Sequence, residues 1–469
     1  MGAIETVPAF RILPHMEFSA GGEAYLYAAE TGGLFRMDGA VRDALSALAS
    51  SGAPAVSPDV LSDLRQAGLL RIGEGKEPVA GPVPPVFRLR TLVLMLTFSC
   101  NLACRYCYEE REEGCAPRVD AGGTQQGMSI DTLRRSVGYL LDHSAGSRKV
   151  SVVFFGGEPL LRFPLLRSAV GEARTMARER GKEISFSLTT NGTLLTREIA
   201  GFLQENRVSV CISIDGTPEI HDFNRAYASG RGSYEDVTRG LSCMMVNRSD
   251  FPLAARVTLG HGAVEVEKTF EHLRGLGFDE VGFAPASAAE GSATALTEGE
   301  VELVVRGFRE LAAGYVADVR ERRMPAFSNM TQILGLIHRG DPMPYPCGAG
   351  IGMLAVDPSG TFYPCHRLCG IGEPLGDPSL GIAGDARVRF LEGARRRRET
   401  ACDACWAKNF CSGGCYHDAW LRQGDLFSPS LHYCRWIKEL FLLGLQTYVR
   451  IQNETPTFLE AMLGERGIA

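Results

Sequence analysis

The sequence predicts an α/β protein. Its centre is a partial (β/α)6 barrel, with a small winged-helix-like unit before it and a cysteine-rich module after it. Three observations carry this prediction. Six short apolar segments recur between residues 91 and 287, with helical stretches between most of them. A hairpin signal and two amphipathic stretches fill the first 75 residues. Eight of the fourteen cysteines fall between Cys347 and Cys434.

Residues 1–75 form the first unit. "EAYLYAAETGGLFRMDG" reads as two short strands around Thr31-Gly32-Gly33, a hairpin signal. Val41, Leu45 and Leu48 then recur at helical spacing. Ser57-Pro58 supplies an N-cap and a proline for the first turn of a second helix, whose apolar side is Val60, Leu61, Leu64 and Leu69. The Gly- and Pro-rich stretch "GEGKEPVAGPVPPVFR" can propagate neither helix nor central strand, and a linker is expected over residues 76–90.

The barrel is expected over residues 91–320. "TLVLMLTF", "KVSVVFFG", "EISFSLTT", "VSVCISID", "LAARVTLG" and "EVGFAPAS" read as near-continuous apolar strands of a parallel sheet covered by helices. In such barrels chemistry sits at the C-terminal strand ends. A connecting segment (321–346), the cysteine module (347–434) and a helical segment (435–469) complete the chain.

Net charge is −6, so the basic footprint of a nucleic-acid binder is missing. No apolar run is long enough to span a bilayer, and the N-terminus has neither a basic region nor an apolar one of the secretory kind. A cytoplasmic location is expected, where clustered cysteines read as metal ligands and not as disulfides. Cys115, Cys211 and Cys243 stand apart and read as small buried hydrophobes. The run Arg395–Arg398 reads as a solvated helix face.

Cys100, Cys104 and Cys107 follow the first barrel strand at C-x3-C-x2-C spacing. Structural zinc and ordinary cubane clusters take four ligands, so three thiols are one short, and the spacing alone leaves an incomplete zinc site open. "FFGGEPLL" closes the second strand, "TTNGTLL" the third and "SIDGTPEIHDFNR" the fourth. Polar residues at successive strand ends suit a bound nucleoside and amino acid.

Taken in this order, these motifs resemble the radical S-adenosylmethionine (SAM) superfamily. The resemblance implies that Cys100, Cys104 and Cys107 hold three irons of a [4Fe-4S] cluster. The fourth iron is left to the amino and carboxylate groups of S-adenosyl-L-methionine, whose reductive cleavage gives a 5′-deoxyadenosyl radical. It further implies that Gly156, Gly157 and Glu158 contact the methionine amino group. Thr190, Asn191, Ser213 and Asp215 would lie near the nucleoside and methionine tail. The backbone of Tyr106 would meet the adenine, and Arg256 would hold the carboxylate.

The later cysteines resemble the SPASM extension. Cys347 is followed by twelve residues, Gly360, four residues and Cys365; then comes Cys402-x2-Cys405-x5-Cys411-x3-Cys415, with Cys434 eighteen residues on. C-x2-C by itself also allows zinc knuckles. The resemblance implies two auxiliary [4Fe-4S] clusters, three clusters in all. Cys402, Cys405, Cys411 and Cys434 would hold the outer one, and Cys347, Cys365 and Cys415 the inner one. Its fourth ligand is either Cys369 or left open. His366 stands where the sulfatase-maturing branch has an aspartate acting as base. Histidine can take a proton near neutral pH, or it can hydrogen-bond a cluster sulfur.

The N-terminal unit resembles the PqqD-like recognition domain of peptide maturases, in which a leader adds as a strand to the sheet edge. A plain dimerisation or packing domain is the other reading. Together the parts imply a ribosomal-peptide maturase. "CNLACRYCYE", "FFGGEPL", "HDFNR" and "YPCHR" most resemble the branch that installs Cys-to-Asp/Glu thioether bridges in the small (gamma) subunit of quinohemoprotein amine dehydrogenase. The implied partners are a small Cys-containing precursor polypeptide with a leader and an electron donor such as flavodoxin or ferredoxin, with no nucleic acid and no membrane. The alternatives are formylglycine formation of the sulfatase-maturase kind, carbon–carbon cross-linking of a peptide, and a non-enzymatic iron–sulfur or zinc scaffold.

Overall fold

The computed structural model describes residues 10–50, 56–72, 87–108, 127–144, 146–246, 248, 251–340, 343–383, 385–397 and 402–465. Cys115, Arg398 and residues 76–86 of the expected linker lie outside them.

The first unit contains β1 (Phe10–Ile12), β2 (His15–Ala20), β3 (Glu23–Ala28), β4 (Leu34–Arg36), α1 (Gly39–Ser50), α2 (Pro58–Gln66) and β5 (Leu70–Ile72). β3 and β4 are the expected hairpin; Gly32, at φ +70°, donates its N–H to Ala28 O at 3.0 Å. A strand not foreseen, β2, extends this pair to an antiparallel meander through Gly21-Gly22. Ser57 caps α2 by accepting from Val60 N–H, with Pro58 in the first turn. One face of the meander is not solvated. Phe18, Tyr25 and Tyr27 pack on Ile333, Phe410, Phe441 and Leu445 from the far end of the chain.

The barrel comprises β6 (Thr91–Met95), β7 (Ala103–Cys104), α3 (Ile130–Asp142), β8 (Lys149–Phe155), α4 (Phe163–Glu179), β9 (Glu183–Thr190), α5 (Arg197–Glu205) and β10 (Val208–Ser213). It continues with α6 (Pro218–Asn224), β11 (Arg225–Ala226), α7 (Tyr234–Met245), β12 (Leu253–Leu259), α8 (Val266–Gly275) and β13 (Glu280–Pro285). The six expected strands, β6, β8, β9, β10, β12 and β13, lie side by side in chain order, each parallel to the next. The expectation of near-continuous apolar strands needs correction. Leu253, Ala255, Val257 and Leu259 of β12 are buried, while Ala254, Arg256 and Thr258 between them are half-buried. β10 alternates likewise, with Val208, Val210 and Ile212 buried and Cys211 and Ser213 half-buried. The apolar set belongs to the core; the other set lines the barrel interior.

The remainder is α9 (Glu298–Arg320), α10 (Ser328–Arg339), β14 (Met353–Val356), β15 (Phe362–Tyr363), β16 (Gly376–Asp377), β17 (Gly381–Ile382), α11 (Ala386–Arg396), α12 (Lys408–Cys411), α13 (Tyr416–Gln423), α14 (Cys434–Glu454) and α15 (Pro456–Glu465). β14 pairs parallel to β6, and β15, β16 and β17 follow antiparallel, so one ten-stranded sheet runs from the barrel into the cysteine module. The sequence reading ended the sheet at β6; a strand of only four residues, MLAV, carries too little pattern to be seen.

Candidate active site

The cysteine loop after β6 is held from three sides. At the end of β8, Gly157 N–H donates to Thr97 O and Glu158 N–H to Ser99 O, both at 2.9 Å. A Cβ on Gly156 (φ +142°) would meet Thr97 O at 2.3 Å, and one on Gly157 would meet Ser99 O at 2.3 Å. The two glycines let two chains touch. From β9, Asn191 Nδ2 donates to Asn101 Oδ1 at 2.9 Å and contacts Cys100 Sγ at 3.8 Å. From the third side β11 pairs with β7, setting Arg225 opposite Cys104.

Glu158 and Asp215, expected to touch ligand, are buried beneath the cavity wall and do not line it. Glu158 Oε1 accepts from Leu160 N–H (2.9 Å) and Thr190 Oγ1 (2.8 Å), and Oε2 from Asn191 N–H (2.7 Å). Burial still pushes this carboxyl up to about 7 against those bonds. Asp215 accepts from the Tyr106 hydroxyl and from Thr258 N–H (3.0 Å) and pairs with Arg225 Nε at 3.3 Å. Both are anchors: one fixes the Thr190-Asn191 turn, the other fixes Tyr106 and Arg225.

Tyr106, Gly156, Gly157, Thr190, Asn191, Ser213 and Arg256 do share one cavity of about 510 Å³, together with Cys100, Cys104 and Cys107. His366 also lines it, its ring 4.4 Å from that of Phe155. Among the further lining residues that the sequence did not reveal are Cys211, Arg225, Ser287 and Arg367. Cys211 had read as a core residue, but it belongs to the inward set of β10. Arg225 ends the HDFNR stretch, in which His221 accepts Asp215 N–H at 3.3 Å and Asp222 accepts Ser233 and Tyr234 N–H at 2.8 Å each. Burial pushes His221 down to about 3, so it serves as a neutral acceptor. The signal for Arg225 is the HDFNR motif itself, in which His221, Asp222 and Arg225 each have their own partner.

The ten candidate metal-ligating cysteines fall into three groups. Desolvation, reinforced by Cys107 as a like-charged neighbour, pushes Cys100 up to about 11 and Cys104 to about 12. Cys347 and Cys365 feel Cys415 in the same way, and Cys411 feels Cys402, Cys405 and Cys434. Among the described residues no three Cys, His, Asp or Glu side chains converge tightly enough for one ion. Thiols spread within one another's field suit the corners of a multi-iron cluster. The first group lines the cavity and would hold such a cluster beside it.

Cys369 is buried in a cluster with Val93, Met95, Ala355 and Tyr363, its Sγ 4.0 Å from Cys365 O. Arg397 reverses another expectation: it is fully buried. Its guanidinium donates to Gly413 O (2.7 Å) and Gly414 O (3.0 Å), between the inner and outer cysteine groups. The turn it clamps has Ser412, Gly413 and Gly414 all at positive φ. That left-handed run stops α12 at Cys411 and restarts the helix after Cys415, so residues four apart face different groups.

The Radical SAM superfamily model matches residues 94–263, the stretch that carries these strands and the first three cysteines. The barrel is a radical SAM domain. Such a domain binds a [4Fe-4S] cluster and S-adenosylmethionine, and the residues lining this cavity suit both. The serine-type anaerobic sulfatase-maturating enzyme of Klebsiella aerogenes is 28% identical over 326 residues, which are 68% of this chain and 77% of that one. The cysteine-type enzyme of Clostridium perfringens is 29% identical over 192 residues, 41% of this chain and 49% of that one. A solved structure of anSMEcpe with bound AdoMet superimposes with a TM-score of 0.67 at 19% identity, over 81% of this chain and 99% of that one, a likeness of fold. Sulfatase-maturating enzymes, the alternative expected from the sequence, are thus among the proteins to which this chain is similar. No helix among the described residues is long and apolar enough to cross a membrane.

Proposed function

We propose that this protein is a peptide maturase that joins a cysteine sulfur of a ribosomally made polypeptide to an unactivated carbon, at an Asp or Glu side chain, in the manner of the quinohemoprotein amine dehydrogenase gamma-subunit maturases. The observation that carries the reading is the inner cysteine group. It offers three thiols, with Cys369 turned into an apolar cluster, and it adjoins the cavity through His366 and Arg367. A thiol brought by the substrate is a partner of the right chemistry for such a group. Three clusters are proposed: one on Cys100, Cys104 and Cys107, an inner one on Cys347, Cys365 and Cys415, and an outer one on Cys402, Cys405, Cys411 and Cys434.

Bound there, the clusters and S-adenosylmethionine supply a hydrogen-abstracting radical and a sink for the one electron that sulfur–carbon bond formation releases. The chain's own residues do the rest. Asn191 and the Gly156-Gly157 turn hold the cysteine loop. Tyr106, locked by Asp215, fixes the adenine side, with Ser213 and Arg256 on the methionine side. His366, between Phe155 and Tyr108 at the cavity wall, takes the thiol proton. The N-terminal unit binds the leader, and an electron donor such as flavodoxin or ferredoxin docks elsewhere. A reducing compartment suits this many thiols, so the cytoplasm is the proposed location.

The test is anaerobic co-expression with a small Cys-bearing polypeptide encoded beside this gene, read by mass spectrometry. The expected product has lost two hydrogens per bridge, and its bridged cysteines resist alkylation. Conversion of Cys or Ser to formylglycine would establish the sulfatase-maturase reaction in its place.

A further inference from the structure

The cavity holds more positive charge than one amino-acid ligand calls for. Arg225, Arg256 and Arg367 all line it. Arg225 is answered by Asp215 at 3.3 Å. Among the described residues no carboxylate stands within ion-pair reach of Arg256 or Arg367; Asp418 acts on Arg367 only at longer range. Burial, with Arg367 as a like-charged neighbour, lowers Arg256 below the usual guanidinium range. Two guanidiniums without a carboxylate partner of their own in one enclosed space have room for two carboxylates. S-adenosylmethionine has one. Arg256, beside Ser213 in the strand register, stands where the methionine side is proposed.

Arg367 lines the same cavity, two residues after Cys365. Its Nη1 donates to Ser287 Oγ, and its guanidinium lies 5.1 Å from the centre of the Tyr108 ring. A planar fork held by one hydrogen bond and by an aromatic ring is oriented to receive a carboxylate on its remaining N–H groups. We propose that Arg367 is a substrate-binding residue that takes the side-chain carboxylate of the acceptor Asp or Glu. This inference rests on the thioether reading above and names its specificity determinant. Anchoring the carboxylate presents the adjoining methylene at a constant place for hydrogen abstraction. If Arg367 served only to balance the charge of the Cys365 and Cys415 thiolates, the enzyme would show no preference between an acid and its amide.

The probes are N-acetyl-L-glutamic acid α-amide and its glutamine counterpart. Each is titrated by calorimetry into cluster-loaded enzyme saturated with S-adenosylmethionine. The wild type is expected to bind the acid at least about tenfold more tightly than the amide. Arg367→Met should erase that ratio, and Arg367→Lys, which keeps the charge without the fork, should retain part of it. Equal binding by the wild type, or a ratio that survives in Arg367→Met with cluster absorbance intact, overturns the proposal. A ratio lost in Arg367→Met alongside a formylglycine product from the precursor supports the carboxylate site and overturns the bridge-forming reading alone.

Discussion

Glu158 spends both carboxylate oxygens inside the protein, on Leu160, Thr190 and Asn191. A glutamine there offers one oxygen and one NH2, so at least one of these donors loses its acceptor. Glu158→Gln is expected to cost about 1–3 kcal/mol of stability, measured by chemical unfolding, and to weaken S-adenosylmethionine binding by loosening Asn191. A protonated carboxyl keeps an acceptor on each oxygen, so pH acts differently from the amide. The folded carboxyl sits at about 7, above its ordinary 4.5. Its contribution to stability is therefore full below about pH 4.5 and is lost as pH rises through about 7. Stability measured across that window should fall in the wild type more steeply than in Glu158→Gln. The residue type and its place at a strand end were legible in the sequence. That its oxygens would be consumed by Thr190 and Asn191 was not, because the partners are some thirty positions away.

At the scale of elements, the turn between α12 and α13 separates the two later cysteine groups, and Arg397 holds it through carbonyls that have few other donors in reach. Arg397→Met leaves those carbonyls buried and unanswered, at a cost of at least about 2 kcal/mol. Iron retained after reconstitution should drop by about two thirds, the share of the two auxiliary clusters, while the Cys100 group still loads. Unchanged iron content would contradict the assignment. The run of arginines looked like a solvated face because charge is the only thing a sequence displays there; α11 ends just before Arg397 and turns it inward. By contrast the six barrel strands were legible, since each has five or more residues of strong pattern. β7, β11 and β14 to β17 were not, having two to four residues each.

For the whole molecule, the shared sheet makes barrel and cysteine module one folding unit. β14 covers the outer edge of β6, and Leu354, Val356 and Phe362 join the same core as Leu92 and Leu94. A chain ended at residue 346 would expose that edge and that apolar surface, and it is expected to aggregate on expression. Recovery of a soluble, cluster-loaded truncation would refute this. The N-terminal unit is tied in as well. Lys408, buried, pairs with Glu30 at 2.7 Å beneath the meander, so the N-terminal unit packs directly on the segment that carries the outer cysteine group.

The most direct measurement follows the abstracted hydrogen. A precursor made with deuterated Asp and Glu side chains is turned over once with S-adenosylmethionine and reductant, and the 5′-deoxyadenosine is weighed. Deuterium from an Asp or Glu methylene in that product is the predicted result. Deuterium that arrives only when the cysteine or serine Cβ is labelled would contradict the thioether account and assign the chain to formylglycine formation.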